Sequence, residues 1–174
     1  MEKKAERKRK MGEWQEKMEW LSMVSDAGQI QKIVEMNERT EKFGLVFTEE
    51  EAKILVKMRR ESLQEQQRVE FGEGILPKLI DTFCDSPYID QNNYMDTIIK
   101  LQEIFYLYKN ESMDELSDDE LLEYMKEAFD GVCEGSLEYL EETVLDGFAR
   151  DIRRQGRGFF GRYYKIRGRD EEDE

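Results

Sequence analysis

Histidine is absent from the 174 residues. That removes Ser-His-Asp and Cys-His triads, HExxH zinc sites and histidine-based proton transfer. What remains for chemistry is two thiols, many carboxylates and a few hydroxyls. Cys84 follows Phe83 on an apolar stretch, where burial raises a thiol's pKa and makes it inert. Cys133 lies in the Gly131–Gly135 loop between Asp130 and Glu134, whose charges oppose thiolate formation. Both are expected to be reduced thiols in a cytoplasmic protein. The densest acid cluster runs Asp114, Glu115, Asp118, Asp119, Glu120 and Glu123. It lacks the central glycine and alternating oxygen ligands of an EF-hand loop, and acids at a helix N-terminus account for it. Carboxylate pairs for glycosidase-like chemistry are too numerous to choose among. GxxxxGK followed by Ser or Thr is missing, and the GxGxxG spacing at Gly156–Gly161 has no strand pattern before it, as a dinucleotide-binding turn requires. No cofactor or metal is expected.

The turn Asp85-Ser86-Pro87-Tyr88 sits between two strongly apolar stretches, so its flanks hold it firmly. Asp85, Ser86 and Tyr88 are therefore candidate contact residues. The loop Glu70–Gly74 has a similar character. A third candidate is the stretch after Arg153, where bases and glycines alternate with aromatics. Arg157, Phe159, Phe160, Arg162, Tyr163 and Tyr164 could stack on bases, lie against the parent fold or grip a protein. Four aromatics in the six residues 159–164 are too apolar for a free linker. Trp14 and Trp20 also fall outside the best core segments and complete the set of candidate anchors.

These residues must be carried by helices. The first is expected from about Lys4 to Ser25, with Met11, Trp14, Met18, Leu21 and Val24 spaced by three and four. The part before Met11 has no apolar face and is expected to fray. Asp26 offers a cap for a second helix ending near Gly44. Thr48-Glu49-Glu50-Glu51 has the form of a capping box, with Phe47 placed as a staple against Ala52. The helix it starts carries Ala52, Leu55, Val56, Met58 and Leu63, with Val69 a further candidate for the same face, and is broken by Gly72 and Gly74. Ile75/Leu76, Leu79/Ile80 and Phe83/Cys84 repeat every four residues and predict a central helix opened by Pro77. Asp90 caps a helix over Gln91–Lys109, apolar on several sides and expected to be the hub of the core. Ser117-Asp118-Asp119-Glu120 is a second capping box. Ser136 opens a last helix carrying Leu137, Leu140, Val144, Phe148 and Ile152.

The expected fold is all-α: a compact irregular bundle of six to seven helices with a basic Gly/aromatic C-terminal tail. The chain divides into an N-terminal helical extension (1–43), a helical core domain (44–154) and the tail (155–174). Charge follows a similar division. Residues 1–10 carry +4, residues 11–149 carry -20, residues 150–169 carry +7 and the last five carry -5. An acidic body repels nucleic acid at long range. No stretch of 18 apolar residues is present, and the basic start has no apolar run behind it as a secretory signal would.

Val69-Glu70-Phe71-Gly72-Glu73-Gly74-Ile75-Leu76-Pro77, Phe83-Cys84-Asp85-Ser86-Pro87-Tyr88 and Leu101-Gln102-Glu103-Ile104-Phe105-Tyr106 resemble a family of small uncharacterised proteins from clostridia-type bacteria. Gly135-Ser136-Leu137-Glu138-Tyr139-Leu140 belongs to the same resemblance, which spans roughly residues 44–154. It implies a bacterial, cytoplasmic origin and assigns no activity or site residue. The function expected is that of a non-enzymatic protein-interaction domain, an adaptor or accessory, whose partner is another protein or a second copy. The alternatives are a nucleic-acid-associated protein using the basic N-terminus and tail, and a carboxylate- or metal-dependent enzyme.

Overall fold

A computed structural model describes residues 2–155, with the side chains of Glu19, residues 21–24 and Gln155 left out. Seven helices make up these residues, and no strand occurs among them. They are α1 (Glu2–Glu35), α2 (Asn37–Thr40), α3 (Glu49–Glu65), α4 (Leu76–Phe83), α5 (Tyr94–Glu111), α6 (Asp118–Asp130) and α7. We use α7 for the continuous helical run Leu137–Tyr139, a π segment Leu140–Leu145, and Asp146–Gln155. No described helix is long and apolar enough to cross a membrane.

The hub is α5, as its all-round apolar pattern requires. Tyr94, Ile98, Leu101, Ile104, Phe105, Tyr106 and Tyr108 are all buried. Around it pack Leu55 and Val56 of α3, Leu79, Ile80 and Phe83 of α4, Leu121 and Met125 of α6, and Leu140 and Ile152 of α7. Ile33 and Met36 join the same core, so the last turns of α1 belong to it. The Tyr108 hydroxyl donates to the carbonyl of Glu141 within the π segment, partnering a backbone oxygen in the stretch where the regular ladder is disturbed.

Both capping boxes form. Thr48 Oγ1 accepts the Glu51 amide at 3.2 Å and Glu51 accepts the Thr48 amide at 2.8 Å. Ser117 and Glu120 repeat those distances at the start of α6. Replacing Ser117 by Ala removes the acceptor for the third amide of α6. It should cost about 1 kcal/mol. A thermal melt should register this as a fall of ~2–4 °C, largely restored by Ser117→Asp.

Four expected boundaries are different in the structure. Asp26 does not open a second helix: α1 runs unbroken from Glu2 to Glu35, and the Asp26 carboxylate accepts from Arg60 of α3 instead. The helix also continues through the basic start, where Lys10–Glu6 and Arg9–Glu13 pair one turn apart. Asp90 caps no helix. It accepts the amides of Asn92 and Asn93 at 2.8 and 3.1 Å in a local turn, and α5 begins at Tyr94. Finally, α3 stops at Glu65, well before Gly72, because Gln67 turns the chain with a φ of 54°. Phe47, expected as a staple on Ala52, has its ring stacked on Tyr94 with centroids 3.9 Å apart.

Candidate functional site

The loop between α3 and α4 is braced from beneath by a cluster of ionised and polar groups. Glu70 turns its carboxylate inward. Its Oε1 accepts from Arg59 Nε at 2.6 Å and from the Tyr106 hydroxyl at 2.7 Å, while Oε2 accepts the Ile75 amide at 3.2 Å. The Arg59 and Glu70 side chains keep only 10% and 15% of their surface. Burial alone would lower the Arg59 pKa, but the Glu70 carboxylate outweighs it and the guanidinium is held further into its charged form. Burial, with the Glu70 charge beside it, pushes the Tyr106 phenol far up, so it stays a donor. The Gly74 backbone closes over this group at a φ of 67°. A Cβ there would come within 2.0 Å of Glu70 Oε1 and 2.8 Å of Arg59 Nη2. That close approach explains the glycine.

The loop is tied at two further points. Arg68 forms a fork on Asp114, at 2.7 and 3.1 Å, and also donates to Asn110 Oδ1 at 2.7 Å. Its hydrogen bond holds the Asp114 carboxyl below the usual carboxylate range. Asn110 in turn donates to the Gln66 carbonyl at 2.8 Å. With residues 66, 68 and 70 secured, their neighbours project outward. Val69 is 78% exposed and Phe71 86% exposed. Recesses of about 300 Å³ lie on either side of this apolar tip.

The turn singled out in the sequence has a different character. Asp85 pairs with Lys126 at 2.8 Å. Ser86 is buried and donates to Asp130 at 2.5 Å, which makes it an internal strut of the turn. Tyr88 is partly exposed, meets Phe129 edge-on and rests against Gly135, whose lack of a Cβ admits the close approach. Beside this turn a groove of about 730 Å³ runs between α4 and α6. Lys78, Asp119 and Glu123 line it, and its cations are already spent on Asp119 and Asp130. Among the described residues no three thiols or carboxylates gather in a metal-binding arrangement. Cys84 and Cys133 are free, buried thiols, both raised by burial. Trp14 and Trp20 stand exposed on the part of α1 that projects from the bundle. Arg157, Phe159, Phe160, Arg162, Tyr163 and Tyr164 lie outside the described residues.

A model of a family of unknown function, DUF6323, matches residues 32–158. The chain belongs to this family. No curated protein and no solved structure matches it. The DUF6323 span contains the braced loop, the Asp85–Tyr88 turn and the whole of the shared core. It begins at the turns of α1 that are buried in that core, and leaves the projecting part of α1 before it. Sequence reasoning counted Val69 as a further candidate for the apolar face of α3, which ends at Glu65 before reaching it, and passed over Phe71. The available signal was the alternation Val69-Glu70-Phe71, an acid between two large apolar residues, which in extended backbone sends the acid one way and its neighbours the other.

Proposed function

We propose that this member of DUF6323 is a non-enzymatic protein-interaction domain, an adaptor or accessory, which inserts Val69 and Phe71 into an apolar groove on another protein. The observation that supports this is the exposure of both side chains on a loop whose alternate residues are locked. Burying a large apolar side chain contributes roughly 1.5–3 kcal/mol. A loop already held in one conformation loses little entropy on binding, so more of that gain survives as affinity. The ion pair beneath serves the same end by fixing the loop.

The test is a two-step binding experiment. Partners captured from the source cells by the full chain are purified and titrated against wild type and against the Val69→Ser, Phe71→Ser double variant. Loss of two central apolar anchors should weaken binding by at least ~30-fold, the scale of an interface hot spot. The melting temperature should stay unchanged, since neither side chain is part of the core. Equal affinity of the double variant would remove the loop from the interface.

A further inference from the structure

Residues 4, 7, 11, 14, 18, 21, 25 and 28 of α1 recur at alternating spacings of four and three and read Lys, Arg, Met, Trp, Met, Leu, Ser, Gly. Such a row forms one face of a helix, here about 36 Å long. Where the structure describes its side chains, the described residues leave this face uncovered. Met11, Trp14 and Met18 are 60% to 66% exposed. Lys4, Arg7, Ser25 and Gly28 are exposed as well, and a Cβ built on Gly28 meets nothing within 4 Å.

We propose that this face pairs with the same face of a second copy of the chain, antiparallel, about a two-fold axis beside Glu16. The order of residue sizes along the row carries the argument. Reversed on itself, it sets Trp14 against Met18, Met11 against Leu21, Arg7 against Ser25 and Lys4 against Gly28, each twice. The long basic side chains lie over the two smallest residues, with their stems packed and their charges in water. A parallel pair sets every residue against itself. Lys4 and Arg7 would then repel across the seam, and Ser25 and Gly28 would leave it unfilled.

Charge points the same way. The six bases among residues 3–10 would stand side by side in a parallel pair, as would two bodies whose residues 11–149 each carry -20. The antiparallel arrangement brings each basic end to the foot of the other copy's α1, next to an acidic body. It also separates the feet of the two helices by about 30 Å, several times the screening length at physiological salt. One like-charge contact remains, because Lys17, which lies over the Trp14 ring, meets its own copy near the axis.

This pairing uses a surface separate from the Val69/Phe71 loop, so either reading can fail while the other stands. The measurement is the solution mass of the full chain by light scattering, compared with the 20.8 kDa monomer. A dimer is expected that dissociates on dilution and is abolished in the Trp14→Lys, Met18→Lys double variant, whose melt should match that of wild type diluted to the monomer, because neither residue enters the core. Orientation is read from a spin label at Glu6→Cys, the two native thiols being buried. Label separation should be about 30 Å along the axis for the antiparallel pair and under ~20 Å for a parallel one. A monomer at about 0.1 mM, a dimer that survives the double substitution, or the short distance would each overturn the proposal.

Discussion

Replacing Arg59 by Ala should lower stability by about 3 kcal/mol, because a partner removed from a buried ion pair leaves the other charge uncompensated. Glu70 would keep the Tyr106 hydroxyl and the Ile75 amide but lose its only charged donor among the described residues, at 2.6 Å. For a chain of this size the melting temperature should fall by ~6–12 °C. Tyr106→Phe removes one hydrogen bond to a charged acceptor and should cost about 1.5–3 kcal/mol. The two losses should not add, since both variants weaken the hold on the same oxygen, and a double-mutant cycle measures that shortfall directly. Lys57→Ala, which breaks an exposed pair with Glu61 at 3.8 Å, serves as the comparison and should leave the melt unmoved. If Arg59→Ala melts like Lys57→Ala, the brace under the loop is not structural. The rigid presentation of Val69 and Phe71 then loses its basis.

Local signals in the sequence were reliable where the cause of a structure is itself local. Thr48 and Ser117 bind amides three residues away, so the capping boxes could be read directly. The four-residue repeat of apolar pairs at Ile75–Cys84 and the all-round apolar α5 gave the centre of the core, because burial follows from which faces are apolar. Asp26 was misread for the opposite reason. An aspartate that caps a helix and one that pairs with an arginine look identical in sequence, and Asp26 is claimed by Arg60, 34 residues on. Periodicity also says that a face is apolar without saying what covers it. Met11, Trp14 and Met18 have the spacing of a core stripe yet are exposed among the described residues. Glu70 was invisible as an anchor because its partners lie 11 and 36 residues away. Within a glycine-rich loop it looked like punctuation, and with it went the significance of Val69 and Phe71.

Gln102 gives the opposite sign of effect from Arg59. It is fully buried in α5, and both atoms of its amide lack a hydrogen-bond partner among the described residues. One turn to either side on its own helix stand Ile98, Ile99, Phe105 and Tyr106, so the amide sits along an otherwise apolar stretch. An unsatisfied buried polar group costs about 1–3 kcal/mol. Methionine has nearly the same length and volume, adapts its three rotatable bonds to an irregular space and carries no such group. Gln102→Met should therefore raise stability by ~2 kcal/mol, and the melt by ~4–8 °C. Gln102→Ala removes the same polar atoms but opens a cavity, and the loss of packing should offset the gain or exceed it. The ordering Met above wild type, with Ala at or below it, identifies the amide as the source of the penalty. A methionine variant less stable than wild type would mean that the amide is bound to an ordered water in the core. Gln102 would then be a polar group the fold depends on, held at the centre of its most enclosed helix.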